Sequence, residues 1–300
     1  MCLWGSLITE TSILAAHGIE TKLELPGVGE NLQDQTYVGV NYPGKRNESG
    51  FAPYVTFANV YDMYGEETAS LAASTKASLG EWARVVADAN KGAISAQAIE
   101  KFFEIQHDLI FDKNATIAEG LSQVTGNILQ TTSFTQLPFS RGSVHLPPSG
   151  AIDQPEIDQK WYTIDFDLSV QIAMSRLATS LWNVEPSHSL LGPGDLPLPF
   201  DATDDEWEAY IAENGKLLWR QCIVIVLTTT LVISNAHPMG TAAMMSRELG
   251  GVLDPTLTVY GAANLRVVDA SVLPIQVSGH TIATLYAVAE RAADIIKGNV

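Results

Sequence analysis

Residues 235–241 read Asn-Ala-His-Pro-Met-Gly-Thr and residues 278–282 read Ser-Gly-His-Thr-Ile; between them lie Gly-Gly-Val-Leu-Asp-Pro at 250–255 and Leu-Arg-Val-Val-Asp-Ala-Ser-Val-Leu-Pro at 265–274. Two histidines, His237 and His280, therefore sit in loop-like stretches beside small residues. His237 precedes a proline, which holds its backbone extended while the chain turns straight after it. His280 stands ahead of a helical stripe, Ile282, Leu285, Tyr286, Ala289, Ala293 and Ile296, so a last helix is expected to start near Thr281 and pack that stripe inward. The first turn of such a helix offers unpaired N–H groups and the positive end of its dipole. One histidine at a helix start is ordinarily a polar cap. A pair of loop histidines flanking a strand-and-helix unit is better read as chemistry, because neutral imidazole is the natural base near pH 7. Leu265 to Asp269 reads as a short buried strand, and Asp269 either bonds a ligand hydroxyl or caps the next turn. The sequence has no G-x-S-x-G to pair with the histidines and no third residue spaced as a metal ligand.

Composition narrows the partners. The chain has 300 residues, 46% hydrophobic and 17% charged, enough to bury a full core. Its 17 Lys and Arg against 34 Asp and Glu give a net charge of −17, which opposes nucleic acid and anionic membranes and favours a small neutral substrate. Cys2 and Cys222 alone make neither a zinc module nor a disulfide framework. Sequons at Asn47 and Asn114 would suit a secreted protein, yet residues 1–10 have no basic start, no signal-peptide core is present, and no transmembrane span is visible. Compartment stays open.

Outward from the histidine blocks, Ser12 to Gly18 reads as a helix with a glycine cap and Thr21 to Leu25 as a strand. Pro26-Gly-Val-Gly-Glu-Asn-Leu-Gln-Asp34 is a tight turn whose glycines allow close backbone approach, without G-x-G-x-x-G spacing. Strands and loops are expected over 37–64. Two helices follow, with stripes at Trp82, Val85, Val86 and Ala89 and at Ile99, Phe102, Phe103 and Gln106, extended by Leu109 and Ile110; His107 is expected at a helix boundary or surface. Residues 133–146 end in a turn into a strand that Trp161 to Leu168 is expected to pair with, before a helix over 169–182. His188 is expected exposed. Thr203 and Glu206 form a capping box, and Cys222 to Ile233, nearly unbroken and apolar, reads as a buried strand.

Six ordered blocks carry a family resemblance. The four already quoted, with Leu-Pro-Gly-Val-Gly-Glu-Asn-Leu-Gln-Asp at 25–34 and Ser-Arg-Gly-Ser-Val at 140–144, resemble the glucose-methanol-choline (GMC) oxidoreductases, particularly their fungal aryl-alcohol and glucose oxidase-like members. The resemblance implies an α+β GMC-type fold: a substrate-binding domain built on an antiparallel sheet flanked by helices, over residues 39–234, and parts of an FAD-binding domain at 1–38 and 235–300. It implies FAD as cofactor, an alcohol as substrate, and molecular oxygen or a quinone as electron acceptor. His237 is then the catalytic base, with proton removal coupled to hydride transfer onto flavin N5, and His280 bonds the substrate oxygen. Asn31 to Asp34, Leu32 among them, lie by the flavin, Asp269 and Ala270 by its ribityl and pyrophosphate, and His280, Thr281 and Ile282 at the N1 and O2 edge, where the helix dipole favours the reduced anion.

The departures shape a second expectation. No strand with a G-x-G-x-x-G turn and helix occurs, the stretch between Gly5-Ser6 and Ser12 is short for the family, and the run from Cys222 to Ile233 looks inserted, as by a retained intron. The chain is accordingly read as a truncated family member, its Rossmann half missing and its FAD binding impaired. The alternative is a non-catalytic or non-redox, lyase-like descendant, since fold does not fix reaction.

Overall fold

The computed structural model describes residues 8–9, 11–48, 53–147, 154–215 and 233–298. In chain order these form β1 (Ile8–Thr9), α1 (Thr11–Ala16), β2 (Leu23–Glu24), β3 (Thr36–Glu48), β4 (Tyr54–Ala58), α2 (Val60–Tyr64), α3 (Thr68–Ala89), α4 (Ala96–His107), β5 (Ala118–Thr135), β6 (Ser143–His145), β7 (Glu156–Asp158), α5 (Asp165–Thr179), α6 (Asp204–Gly215), β8 (Ile233–Ser234) and α7 (Ile282–Lys297). Mixed helices and antiparallel sheet make the fold α+β. Its centre is an antiparallel sheet in the order β4-β5-β3-β8, with Tyr37 opposite Phe134 and Pro43 opposite Ile128 before a register shift. Helix α5 lies close on β5: a Cβ added at Gly120 would come within 2.9 Å of Ala178 Cβ as well as 2.6 Å of Met174 Cε, so glycine lets the helix approach there.

Three apolar clusters surround this sheet. The first joins α3, α4 and α5 through Phe103, Phe139 and Phe166, whose rings meet edge to face. The second joins Leu14, Leu25 and Val28 to Met239, Val252, Val272 and Ala292, tying the first residues of the chain to the last. The third packs Trp182, Trp207 and Ile211 beneath Val38, Tyr42 and Leu129. Full burial of each such side chain contributes about 1.5–3 kcal/mol.

The turn at 25–36 is the hub where the distant blocks meet. Gln33 N donates to Met239 O at 3.0 Å and Met239 N returns to Gln33 O at 2.9 Å; Leu32 and Gly142 exchange a similar pair. Asn31 Nδ2 donates to Pro274 O at 3.1 Å, and Gln33 Nε2 to the same carbonyl at 2.9 Å. A Cβ on Gly27 would stand 1.9 Å from Gly250 O, which explains the glycine. Beneath the hub Arg141 is buried among acceptors: Asn31 Oδ1 at 2.9 Å, Gln106 Oε1 at 2.7 Å, and the carbonyl of Ser140, with the Phe103 ring 5.3 Å away. Burial pulls the guanidinium pKa down to about 9, against the opposing influence of Asp167.

Several expectations need correction. The partner of β6 is β7, not Trp161 to Leu168. Lys160 (φ 48°) and Tyr162 (φ 56°) turn left-handed, and Asp165 and Asp167 in the first turn of α5 suit a helix start. Val60 to Tyr64 is helical under a capping box from Asn59 and Asp62, not strand or loop. His107 does stand at a helix boundary, as the last residue of α4, but it is buried and not at the surface, its Nε2 3.0 Å from Ala72 O and its ring against Phe111, because α3 and α4 pack over it. Leu265 to Asp269 is no strand; Val268 is 38% exposed and only Arg266 makes an isolated bridge, to Thr258. The stripe expected to pack α7 inward does so only in part: Leu285 faces the core, with Val288 and Ala292 beside it, while Ile282, Tyr286 and Ile296 are 66%, 71% and 60% exposed. Of the α3 stripe Val85 is exposed, whereas Val86 is buried and Trp82 packs on the core as expected, joined there by Leu79 and Ala83. The Thr203–Glu206 capping box forms, with Thr203 N donating to Glu206 Oε2 at 2.7 Å, and His188 is exposed. Of the run from Cys222 only Ile233, in β8, lies within the described residues, as do neither Cys2 nor Gly5-Ser6. No helix among the described residues is long and apolar enough to cross a membrane.

Candidate functional site

Ala236, at φ 58°, and Pro238 bracket His237 in a sharp bend that β8 leads into. Ala236 N is held by Ser234 Oγ at 2.8 Å, His237 N donates to Asp34 Oδ1 at 3.1 Å, and His237 O accepts from Gln276 Nε2 at 3.1 Å. A non-glycine residue in the left-handed region is uncommon and persists where its surroundings over-determine it. The side chain is equally constrained: Nδ1 lies 2.7 Å from Gln35 Oε1 and 3.2 Å from Asn235 Nδ2.

His280 reaches the same place from the other side, on the loop before α7. The two imidazoles meet edge to face with centroids 5.1 Å apart. His280 Nε2 is 3.0 Å from Glu119 Oε1, and the other carboxylate oxygen accepts from Gln136 Nε2 at 3.0 Å. Glu119 is fully buried at the start of β5 and Phe134, at the end of the same strand, sets its ring 6.3 Å from the His280 ring. In the neutral His280 ring the proton sits at Nε2, toward the carboxylate, leaving Nδ1 as the lone-pair nitrogen.

The electrostatics separate the two. Burial, and secondarily the neighbouring His280, hold His237 below the ordinary imidazole pKa, so it is neutral at pH 7. Asp34, against its backbone, is pushed up to about 6 by burial, opposed by hydrogen bonds from Ser234, His237 and Gln35. A half-buried neutral imidazole next to a second, carboxylate-anchored one can accept a proton from a weakly acidic hydroxyl while the other orients the oxygen.

Of the residues singled out in the sequence, His237, His280, Thr281 and Ile282 share this corner. Asn31 and Leu32 are buried in the hub: Asn31 (φ 61°) spends its amide on Gly240 O, Pro274 O and Arg141, and Leu32 pairs with Gly142. Asp269 takes the capping alternative, accepting from Ser271 N at 2.8 Å, with Ala270 in the short 3-10 turn it opens. Glu119, Gln136, Gln35 and Asn235 were missed. Only Asn235, the first residue of the 235–241 block, and Gln35, which adjoins the 25–34 block, carried any local signal. Among the described residues no cluster of three or more His, Cys, Asp or Glu is arranged to hold a metal.

Whether these residues suit a flavin is decided by what α7 presents. Thr281 makes no side-chain cap, so the first-turn N–H groups are available to an electron-rich edge, and Ile282 and Tyr286 expose apolar surface next to His280. That combination fits the redox-active ring. The pyrophosphate is served less well, because Asp269 offers it an anion that only accepts hydrogen bonds, as it does from Ser271.

Known proteins resemble this chain over most of its length. Residues 138–289 match the family model described as GMC oxidoreductase. The chain is 42% identical over 285 residues to the glucose oxidase-like protein fsoC of Humicola fuscoatra, covering 94% of this chain and 45% of that one, and 33% identical to a Penicillium chrysogenum glucose oxidase, covering 95% and 44%. It thus spans about half the length of the curated relatives it matches. Among solved structures, a fungal aryl-alcohol oxidase superposes with TM-score 0.77 at 27% identity over 97% of this chain and 51% of that one, and an FAD-dependent oxidoreductase from Chaetomium thermophilum with 0.77 at 25% over 97% and 52%. The chain belongs to the GMC oxidoreductase family.

Proposed function

We propose that these residues form the base-bearing wall of a site that oxidises the CH–OH group of a small alcohol with FAD. The observation that carries the reading is the histidine pair, 5.1 Å between ring centroids, each ring fixed by its own polar partner. With Nδ1 against Gln35 Oε1, His237 keeps its Nε2 lone pair for the alcohol proton. His280, its Nε2 braced by the Glu119 carboxylate, donates from Nδ1–H to the alcohol oxygen in its imidazolium form, the carboxylate balancing the charge, and holds the oxygen in line with that lone pair. FAD, when bound, supplies the two-electron acceptor for the hydrogen on the carbinol carbon, and Thr281 and Ile282 with the α7 N-terminus would hold the polar edge of its ring. Molecular oxygen or a quinone then serves as the terminal electron acceptor. Residues 39–234 act as the substrate-binding domain, with 1–38 and 235–300 on the flavin side.

The 300 residues contain no G-x-G-x-x-G turn. Flavin held by them alone lacks the backbone cradle that grips a pyrophosphate, so its affinity is expected to be weak. The test is an FAD titration of the purified chain followed by anaerobic addition of a panel of primary alcohols. Weak, saturable binding and alcohol-dependent bleaching of the flavin bands are expected. Tight stoichiometric binding would refute the weak-affinity claim, and bleaching that survives His237→Ala would remove His237 from the base role. Turnover of a carbonyl adduct with no bleaching would support the non-redox alternative.

A further inference from the structure

Gln35 is fully buried, and each of its polar atoms is committed. Its backbone N donates to Asp34 Oδ1 at 2.9 Å and its carbonyl accepts from Asn235 N at 2.9 Å. Its side-chain Nε2 donates to Gly279 O at 2.9 Å and Val277 O at 3.3 Å, and its Oε1 faces His237 Nδ1 at 2.7 Å and Asn235 Nδ2 at 3.0 Å. We propose that Gln35 is the positioning residue that dictates which nitrogen of His237 is free and locks the His237 bend to the loop carrying His280.

The argument turns on what each partner is able to do. Backbone carbonyls only accept, so the two carbonyls at 277 and 279 admit only the NH2 end of the Gln35 amide. The flipped amide would set its oxygen against the carbonyl oxygens of Val277 and Gly279, leaving it buried with no donor, which is costly. Oε1 must therefore face His237. An amide oxygen cannot donate, so the 2.7 Å contact requires the proton on His237 Nδ1. Asn235 Nδ2 then gives its hydrogen to Gln35 Oε1, and its 3.2 Å approach to Nδ1 is a side contact rather than a bond. The consequence is an Nε2 lone pair aimed away from the hub. The backbone of the 277–279 loop thus selects, through one amide, the tautomer of a histidine about forty residues earlier in the chain. Free histidine favours the opposite tautomer, so this selection has to be enforced.

This inference rests on the base reading of His237 for its functional meaning, but it is testable without cofactor or substrate. Full-length chain labelled with 15N-histidine gives the ring nitrogen shifts, with His237 assigned by its loss in His237→Ala. A protonated-type Nδ1 and an unprotonated-type Nε2 are expected above the titration midpoint of the ring. The reverse pattern in the unaltered chain overturns the proposal with no variant required. Gln35→Leu keeps the volume and removes both ends of the bridge; the Nδ1–H pattern should collapse toward the Nε2–H or mixed form. Gln35→Glu keeps an acceptor for Nδ1 but cannot donate to Val277 O or Gly279 O. It should retain the Nδ1–H tautomer, raise the His237 midpoint, and shift the His280 ring resonances. An unchanged tautomer in folded Gln35→Leu would overturn the selecting role, and unmoved His280 resonances in Gln35→Glu would overturn the locking role. A correct tautomer together with flavin reduction that persists in His237→Ala would instead sink the base reading and leave this one standing.

Discussion

The two histidines share one corner but live in opposite surroundings. His237 belongs to a wall in which Asp34, Gln35, Asn235 and Gln276 commit its backbone and one ring nitrogen. His280 is about half exposed, held by Glu119 on one side and opening on the other toward the uncovered apolar face of α7. The contrast teaches that one side of the site is pre-organised by its own fold, whereas the other is shaped to meet something. A rigid, neutral base on the closed side and an open apolar ledge on the other is the division of labour expected when a planar cofactor lies against the ledge.

The largest effect should come from the closed side. With FAD added in excess, His237→Ala should slow anaerobic flavin reduction by alcohol roughly 10²–10⁴-fold, the usual contribution of a general base. His280→Asn keeps a hydrogen-bonding group and should cost less; equal losses would erase the distinction between base and orienter. Next is the buried support. Arg141→Ala strips a cation from Asn31 Oδ1 and Gln106 Oε1, and unfolding measurements should record a loss of about 3 kcal/mol or more, since buried acceptors cost about 1–3 kcal/mol each when left unpaired. A loss under about 1 kcal/mol would mean the hub is not held by that side chain.

Asp34 gives a signed pH test of the same wall. Its folded pKa of about 6 lies above the unfolded 3.8, so the native state holds the extra proton between those values, and stability falls as pH rises through that window. Asp34→Asn has no such dependence. Relative to the unaltered chain it should gain about 3 kcal/mol between pH 4 and pH 7.5, from roughly two pK units at 1.36 kcal/mol each. A difference independent of pH would contradict the burial assigned to that carboxyl. The open side should respond least: Ile282→Ser and Tyr286→Ser should change stability by no more than about 0.5 kcal/mol, because exposed positions usually do. A loss above 2 kcal/mol would show that face to be packed.

Legibility in the sequence followed the range of the interactions. The capping box at Thr203, the buried Ile99, Phe102 and Phe103 stripe and the glycine-rich 25–34 turn are local patterns and could be read directly. The histidine pair could be read as a pair only through its loop contexts, and as a base and its partner only through the family resemblance. Glu119 could not, since it stands 161 residues from His280 and its strand carries buried Ser122, Thr131, Thr132 and Thr135 on both faces, which hides the two-residue period. Strand β5, the longest among the described residues, is hidden in the sequence for the same reason. The orientation of α7 is only partly legible, because Ile282, Tyr286 and Ile296 sit at helical spacing with Leu285 just as Val288 and Ala292 do. Two apolar stripes on one helix leave periodicity unable to choose the inner one.

The most direct test of the base assignment is the pH profile of the rate at which alcohol bleaches bound flavin under anaerobic conditions. His237 is held below the ordinary imidazole pKa of 6.5, so the rate should rise through a single inflection below that value, with His237→Ala losing both inflection and rate. A pH-independent rate, or the same profile with His237 removed, would contradict the account.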